Sequence, residues 1–281
     1  MRLSDCKQIF YGKEDPDAEM MERKDIIYQI FLGDRQVWER TSDEGTEKAS
    51  NKITTTWRIT NDLTLKSLTE STIITGKINW GDSSVDDWRS GEFNIHYYVD
   101  SGLYNITFDC ELIKELPYGQ VAAISRIEEY NPGGTSTNEL IGVTLGKVPF
   151  ASHRLDDDSK GVFEDVLTIE SIVVPQGVTK IPQRLFYNTS FEEIVIPAAI
   201  GEDDEELEIK IEQYAFVSNV ARKIRIESKN IVINSHAFGF DTDDHIINNL
   251  KFYCYRNTRA DTYAQESGID KSNIIYIDDN A

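Results

Sequence analysis

A period of about 22 residues governs the second half of this chain. Ile172 to Ile194, Pro175 to Pro197 and Phe216 to Phe238 are each 22 apart. Ile194 to Ile224 and Phe186 to Phe216 are each 30 apart, and the excess of eight matches one acidic insertion, Gly201-Glu-Asp-Asp-Glu-Glu-Leu-Glu208. Four segments align on this spacing. The first runs Ile172-Val-Val-Pro175, Gly177-Val-Thr-Lys-Ile181-Pro and Leu185-Phe186. The second runs Ile194-Val-Ile-Pro197, Ile209-Lys-Ile211 and Ala215-Phe216; the third, Ile224-Arg-Ile226, Ile231-Val-Ile233 and Ala237-Phe238. Leu250-Lys-Phe252 opens the last. A fixed period of roughly 20–29 residues restricts a chain to a stack of like supersecondary units.

A unit of that size cannot bury its apolar side alone, so each is stable only against its neighbours. In Ile-x-Ile both branched side chains point to one face of a short strand. Stacking sets these strands side by side and leaves Val173, Val195, Arg225 and Lys251 pointing outward. The Leu-Phe or Ala-Phe pair plugs the interior where the chain turns back. Val162-Phe163 stands before Ile172 as Leu185-Phe186 stands before Ile194, so an earlier unit is expected. Its strand is Leu140-Ile-Gly-Val143-Thr-Leu145, and residues 151–160, with Asp156-Asp-Asp158, form a second acidic loop.

The order Ile172, Pro175, Val178, Ile181, Phe186 resembles the BspA-like leucine-rich repeat, whose units read approximately I-x-I-P-x-x-V-x-x-I-x-x-x-A-F. The tail from Leu250 to Ile269 resembles the end of such arrays, where a strand and a short helix, here Thr258 to Ser267, close the stack. Glu227 departs from the pattern, standing where the first two strands have Pro. The resemblance implies a leucine-rich-repeat-like solenoid with a short capping helix over residues 140–281.

Between Ser50 and Glu115 the period changes to two. Ile53-Thr-Thr-Thr-Trp57-Arg-Ile59, Ile73 to Trp80, Asn94 to Val99 and Gly102 to Phe108 alternate as half-buried strands do, which argues for a small β-sandwich over residues 50–115. Trp80-Gly81-Asp82-Ser83, His96-Tyr97 and Gly102-Leu-Tyr104-Asn-Ile106 resemble the polycystic-kidney-disease-type sandwich, with its W-G-D-G, H-x-Y and G-x-Y-x-I/V. Ser83 replaces the second glycine. Asp82 is expected to order its own turn, and His96 to pack or sit at an edge. Tyr104, Ile106 and Phe108 should share one face.

Residues 1–40 read as a separate docking segment. Asp25 to Trp38 has the form of a hairpin turning at Gly33-Asp34, and a second turn at Tyr11-Gly12 follows Ile9-Phe10. Ile27, Ile30, Leu32, Gly33, Asp34, Val37 and Trp38 resemble a phrase near the start of many phage virion and tail proteins, I-x-x-I-Y-L-G-D-x-x-V-W. Thr41 to Asn51 is polar and reads as a linker.

Charge excludes some partners. With 29 Lys plus Arg against 49 Asp plus Glu, the net of −20 repels nucleic acid and anionic membranes, and no basic run offsets it. Cys6, Cys110 and Cys254 lie far apart and signal neither a disulfide framework nor a zinc site. Met1 to Gln8 carries charge where a leader has its apolar core, and no run approaches the length of a membrane span. His96, His153, His236 and His245 show no ligand spacing, and no nucleophile elbow, zincin, Walker or dinucleotide motif is present. Gly133-Gly134 is a turn. The acidic loops offer oxygen ligands suited to calcium but lack the calcium-loop Gly and final Glu, so they read as solvated.

The expectation is therefore a mainly β protein: an N-terminal hairpin segment, a sandwich and a repeat solenoid. Catalytic, cofactor and metal residues are none. The leading reading is a non-enzymatic virion structural protein of a phage tail, baseplate or head. It would be located in the virion and assembled with other virion proteins, and would meet a host surface protein or glycan. The alternative is a bacterial surface adhesin of the BspA-like type. An enzyme of the carbohydrate-active kind is a third reading, with no residue singled out for it.

Overall fold

The computed structural model describes residues 52–60, 62–70, 75–89, 93–109, 123–129, 137–146, 150–151, 154, 159–201 and 204–280, and the backbone of three strands before them. The turns at Tyr11-Gly12, Gly33-Asp34 and Gly133-Gly134, the linker from Thr41 to Asn51, Cys6, Cys110, His153 and Asp156-Asp-Asp158 lie outside the described residues. The protein is mainly β, with one α-helix among the described residues. Two compact units divide it at Thr46/Glu47.

The first unit holds β1 (Gln8–Phe10), β2 (Gln29–Leu32) and β3 (Arg35–Glu39) in one antiparallel sheet, in that order. The predicted hairpin is β2–β3, with Ile30 opposite Trp38 and Leu32 opposite Arg35.

The second unit begins with β4 (Lys52–Ile59), β5 (Leu63–Glu70), β6 (Thr75–Asn79), β7 (Val85–Arg89), β8 (Phe93–His96), β9 (Gly102–Asp109), β10 (Ala123–Glu129) and β11 (Glu139–Thr144). β5 lies between β10 and β8 in a three-stranded antiparallel sheet. The other sheet runs β11-β4-β9-β6-β7 and is extended by β12 (Ser171–Val173) beyond β11. Alternation on β4 buries Ile53, Thr55, Trp57 and Ile59, and β9 turns Ile106 and Phe108 inward with Tyr104 packed behind them. The sheets therefore take in two strands beyond Glu115. β10 supplies Ile127 and β11 supplies Leu140 and Val143 to the same core.

β11 is the junction. It runs antiparallel to β4, with Val143 opposite Thr55, and parallel to β12, with Val143 beside Ile172. From there the chain winds. β13 (Lys180–Ile181), β17 (Ile209–Ile211) and β19 (Ile231–Ile233) form one parallel sheet; β14 (Glu193–Ile196), β18 (Lys223–Ile226), β20 (Lys251–Cys254) and β21 (Ile274–Tyr276) form another. Their register reproduces the sequence spacing. Ile194 pairs with Ile224 and Ile181 with Ile211, both 30 apart, and Ile211 with Ile233, 22 apart. The extra eight residues are taken up by β15 (Ala199–Ile200) and β16 (Glu206–Leu207), which fold back on each other as an antiparallel hairpin.

That hairpin is more than a solvated loop. Glu206 Oε1 accepts hydrogen bonds from Ser228 Oγ (2.8 Å), Lys229 N (2.8 Å) and Asn230 N (3.0 Å) in the next winding. Partial burial raises the Glu206 pKa, but these bonds outweigh it and hold the carboxyl below its ordinary value.

The aromatic of each winding lands in one column. Phe163, Phe186, Phe216 and Phe238 are all fully buried and stack at centroid distances of 5.4, 5.5 and 5.0 Å, with rings within 17° of parallel. Phe150 meets the N-terminal end of the column edge-on at 5.5 Å and Tyr263 the C-terminal end at 6.4 Å. The backbone repeats the same link. Phe163 N donates to Leu185 O, Phe186 N to Ala215 O, and Phe216 N to Ala237 O, at 3.0, 2.9 and 2.9 Å.

Phe238 has no further winding to donate to. Its N–H goes instead to the Tyr263 hydroxyl (2.9 Å), which donates in turn to Phe238 O (2.7 Å). Tyr263 sits on α1 (Arg259–Glu266), whose N-cap is Thr258, its side chain accepting from Asp261 N; Ser267 ends the helix. Burial pushes the Tyr263 hydroxyl up to about 12, so it keeps the proton that this second bond requires.

Two substitutions test the column. Phe216→Ala, between two stacked rings, should lower unfolding free energy by about 3–5 kcal/mol. Tyr263→Phe keeps the ring but orphans a buried N–H and C=O, and should cost about 1–3 kcal/mol. Urea denaturation of the full chain measures both. Equal stability of Tyr263→Phe and the parent would show that the hydroxyl does not cap the stack.

Candidate binding face and the predicted site residues

The parallel pairing of β14, β18, β20 and β21 sorts their side chains into an inner and an outer set. Ile194, Ile196, Ile224, Ile226, Phe252 and Cys254 point in and are buried. Outward, the register aligns Val195, Arg225, Tyr253 and Ile275 in one row. Val173 is the counterpart of Val195 one period earlier, and the two are 49% and 40% exposed, large for valines.

Lys251 was expected in this row but lies in the next one. Its register partner is Lys223, which itself pairs with Glu193, so the place beside Arg225 belongs to Tyr253. The slip is of two residues: Phe252, and not Leu250, takes the place beside Ile224. The Arg225 guanidinium lies 5.8 Å from the Tyr253 ring and donates to Glu227 Oε1 at 2.6 Å. Lys223 reaches Glu193 at 3.2 Å. The face is thus two valines leading to an arginine over a tyrosine, edged by charge. Its residue types suit a protein partner, where Tyr and Arg are the side chains that most often carry binding energy.

Asp82 and His96 do meet. His96 Nε2 lies 2.7 Å from Asp82 Oδ2, its ring stacks on Trp80 at 4.7 Å, and Tyr98 closes on it edge-on at 4.6 Å. Ser84 completes the group, its hydroxyl donating to Asp82 Oδ1 at 2.5 Å and lying 3.3 Å from the same His96 Nε2. Asp, His and Ser suggest a hydrolytic triad, but the connectivity is wrong for one. A relay needs the serine on one imidazole nitrogen and the carboxylate on the other. Here both crowd Nε2, and the serine proton is already given to the carboxylate. The group locks the turn after β6: Asp82 Oδ1 accepts from Ser84 N, as expected from sequence, and Trp80 Nε1 donates to Asp86.

Partial burial raises the Asp82 carboxyl, but hydrogen bonds from Ser84 and His96 overcome it and bring it from 3.8 to about 2. The turn also explains two residues of the W-G-D-S phrase. A Cβ on Gly81 would stand 2.8 Å from Asn105 O, so only glycine fits. Ser83 has φ of +79°, a left-handed position that a glycine fills without strain.

A second cluster, not anticipated from the sequence, follows Phe240. Asp241, Asp243 and His245 offer ligand atoms within 4.8 Å of one another. The signal was a D-x-D-x-H run. Asp241 Oδ1 already accepts from Asp243 N and His245 N, both at 2.9 Å, so the turn itself accounts for that carboxylate. Cys254 is buried, and burial together with Asp261 and Asp278 pushes its thiol up to about 12, which removes it as a nucleophile. No helix among the described residues is long and apolar enough to cross a membrane.

Comparison with known families bears on the windings. Residues 145–207 match the BspA type leucine rich repeat region (6 copies). The matched leucine-rich repeat region runs from the end of β11 to β16, and the register described above carries the same winding beyond it to β21. No curated protein and no solved structure matches the chain.

Two outcomes follow at the Asp82 turn. Ser83→Gly should raise stability by about 1 kcal/mol, the strain of a left-handed serine less glycine's extra unfolded-state entropy; thermal unfolding reads it. The folded Asp82 carboxyl lies below its unfolded value, so its stabilisation is complete above about pH 4 and drains away as pH falls toward 2. Asp82→Asn should therefore narrow its stability gap to the parent as pH falls from 5 to 2. A gap that stays constant over that range would refute the assignment.

Proposed function

We propose that this chain is a non-catalytic binding protein of the surface-adhesin type, using the outward row Val173, Val195, Arg225 and Tyr253 of a leucine-rich-repeat solenoid to hold a protein partner. A PKD-like β-sandwich formed by β4–β11 supports the solenoid at its first winding. The observation that carries this reading is the combination of the leucine-rich repeat match with an outer row of two exposed valines and a half-buried arginine and tyrosine. Solenoids serve widely as binding scaffolds because stacking fixes a broad surface at little entropic cost. The triad-like group at Asp82 has connectivity suited to a turn, which supports the absence of catalysis. A net charge of −20 favours a partner with basic patches over nucleic acid or anionic lipid.

A second reading is a phage virion component docked through residues 1–40. It is favoured by the Gly33-Asp34…Trp38 phrase on the β2–β3 hairpin.

Labelled antibody on intact source cells, with mass spectrometry of purified particles, separates the two. Surface labelling, and loss of cell binding by the purified protein carrying Arg225→Glu and Tyr253→Ala, is the expected result. Fixed copy number in particles, lost on deleting residues 1–40, would replace the adhesin reading with the virion one. Specific hydrolysis of a peptide or glycan, abolished by Ser84→Ala, would overturn the non-catalytic assignment.

A further inference from the structure

The last winding differs from its predecessors in what lies beyond it. α1 stands where another winding would be, and between it and β19 a solvent-open cleft of about 580 Å³ remains. Ile233 and Phe240 give it apolar walls, and Ser235, His236, Arg259 and Glu266 its polar ones.

His236 occupies the slot held by Arg184 and Tyr214 in the two windings before it, two residues ahead of the stacked phenylalanine. All three have left-handed backbone, with φ of +54°, +59° and +57° in chain order. Arg184 reaches back to Glu164 in a paired hydrogen bond of 2.8 and 2.5 Å. His236 has no such carboxylate. Its ring packs between Tyr214 (5.5 Å) and Phe240 (4.3 Å), and its Nδ1 is buried without a hydrogen-bond partner. His236 lines the cleft, and its imidazole has hydrogen-bonding capacity that no protein group meets at Nδ1.

Across from it, Arg259 and Glu266 are both exposed on α1. Seven residues apart, they share a helix face at about 10 Å separation along the axis. Neither forms an ion pair among the described residues, whereas Arg58, Arg184 and Arg225 each hold a carboxylate. The cleft thus offers a guanidinium fork and an imidazole ring. It also has a carboxylate acceptor and an aromatic wall between polar groups.

We propose that this cleft binds a carboxylated sugar. The ligand's carboxylate is held by Arg259 and His236, its hydroxyls by Glu266 and Ser235, and its ring lies against Ile233 and Phe240. Arginine's planar fork matches a carboxylate bidentately. Glu266 is an acceptor, and a ligand rich in hydroxyl donors complements it. A peptide carboxylate would suit Arg259 as well, but it brings no hydroxyls to the far end. The cleft uses none of the residues of the outward strand row, so this site and the adhesin reading fail separately.

The test is a titration of the full chain with N-acetylneuraminic acid, glucuronic acid, glucose and N-acetylalanine, followed by saturation-transfer NMR. Saturable binding of at least one sugar acid is expected, with none for glucose. Arg259→Ala should weaken it about tenfold, and Glu266→Gln should weaken it too, with melting temperature unchanged in both since the residues are exposed. Three results would overturn the proposal. These are absence of saturable binding by both sugar acids, undiminished binding by Arg259→Ala, and N-acetylalanine binding as tightly as the sugar acids.

Discussion

The stack of Phe163, Phe186, Phe216 and Phe238 is the contact on which the second half of this protein depends. Each winding has strands of only two to four residues, too short to hold a sheet together unaided. What fixes one winding over the next is a buried ring against a buried ring, with an N–H to C=O bond at the same residue. Ring and backbone bond require the same rise between windings, so the spacing of about 5 Å suits aromatic stacking and parallel strand pairing at once. The residues around the column follow from this. The slot two places before each later phenylalanine takes a left-handed backbone to bring the ring inward, whatever side chain stands there.

A stack of this kind has two ends, and each exposes unpaired backbone and an uncovered ring. The two ends are closed by different means. At the N-terminal end the sheet of the preceding module supplies a ready-made strand, β11, and Phe150 covers the first ring. At the C-terminal end a single hydroxyl stands in for a missing peptide carbonyl and Tyr263 covers the last ring. Both devices satisfy a polar group and an apolar face together, the condition for burying either.

Much of the winding was legible in the sequence because it is local and repeated. The 22- and 30-residue intervals reappear as strand register, Phe163 joins the column as an earlier unit would, and the short helix lies between Thr258 and Ser267 as expected. The turn at Asp82 was legible for a similar reason, since an aspartate reaching its own backbone needs no distant partner. What could not be read is what joins segments far apart in the chain. β10 and β11 pair with strands some 50 to 90 residues earlier, and pairing across such a distance leaves no periodic trace. The meeting of His96 with Asp82, the anchoring of Glu206 on residues 228–230 and the place of Tyr253 beside Arg225 are of this type. Each depends on register, which a one-residue shift of a strand boundary rewrites.

The shared strand β11 also bears on how such a protein changes over generations. A gene duplication that copies one interior winding inserts a ring, its backbone link and its outward residue together, and touches neither closure. The terminal windings have no such freedom, because one is welded to the β4 sheet and the other is shaped to a tyrosine hydroxyl. Length can therefore vary in the middle while both ends are inherited intact. The hairpin at 199–207 shows that the middle already tolerates added chain.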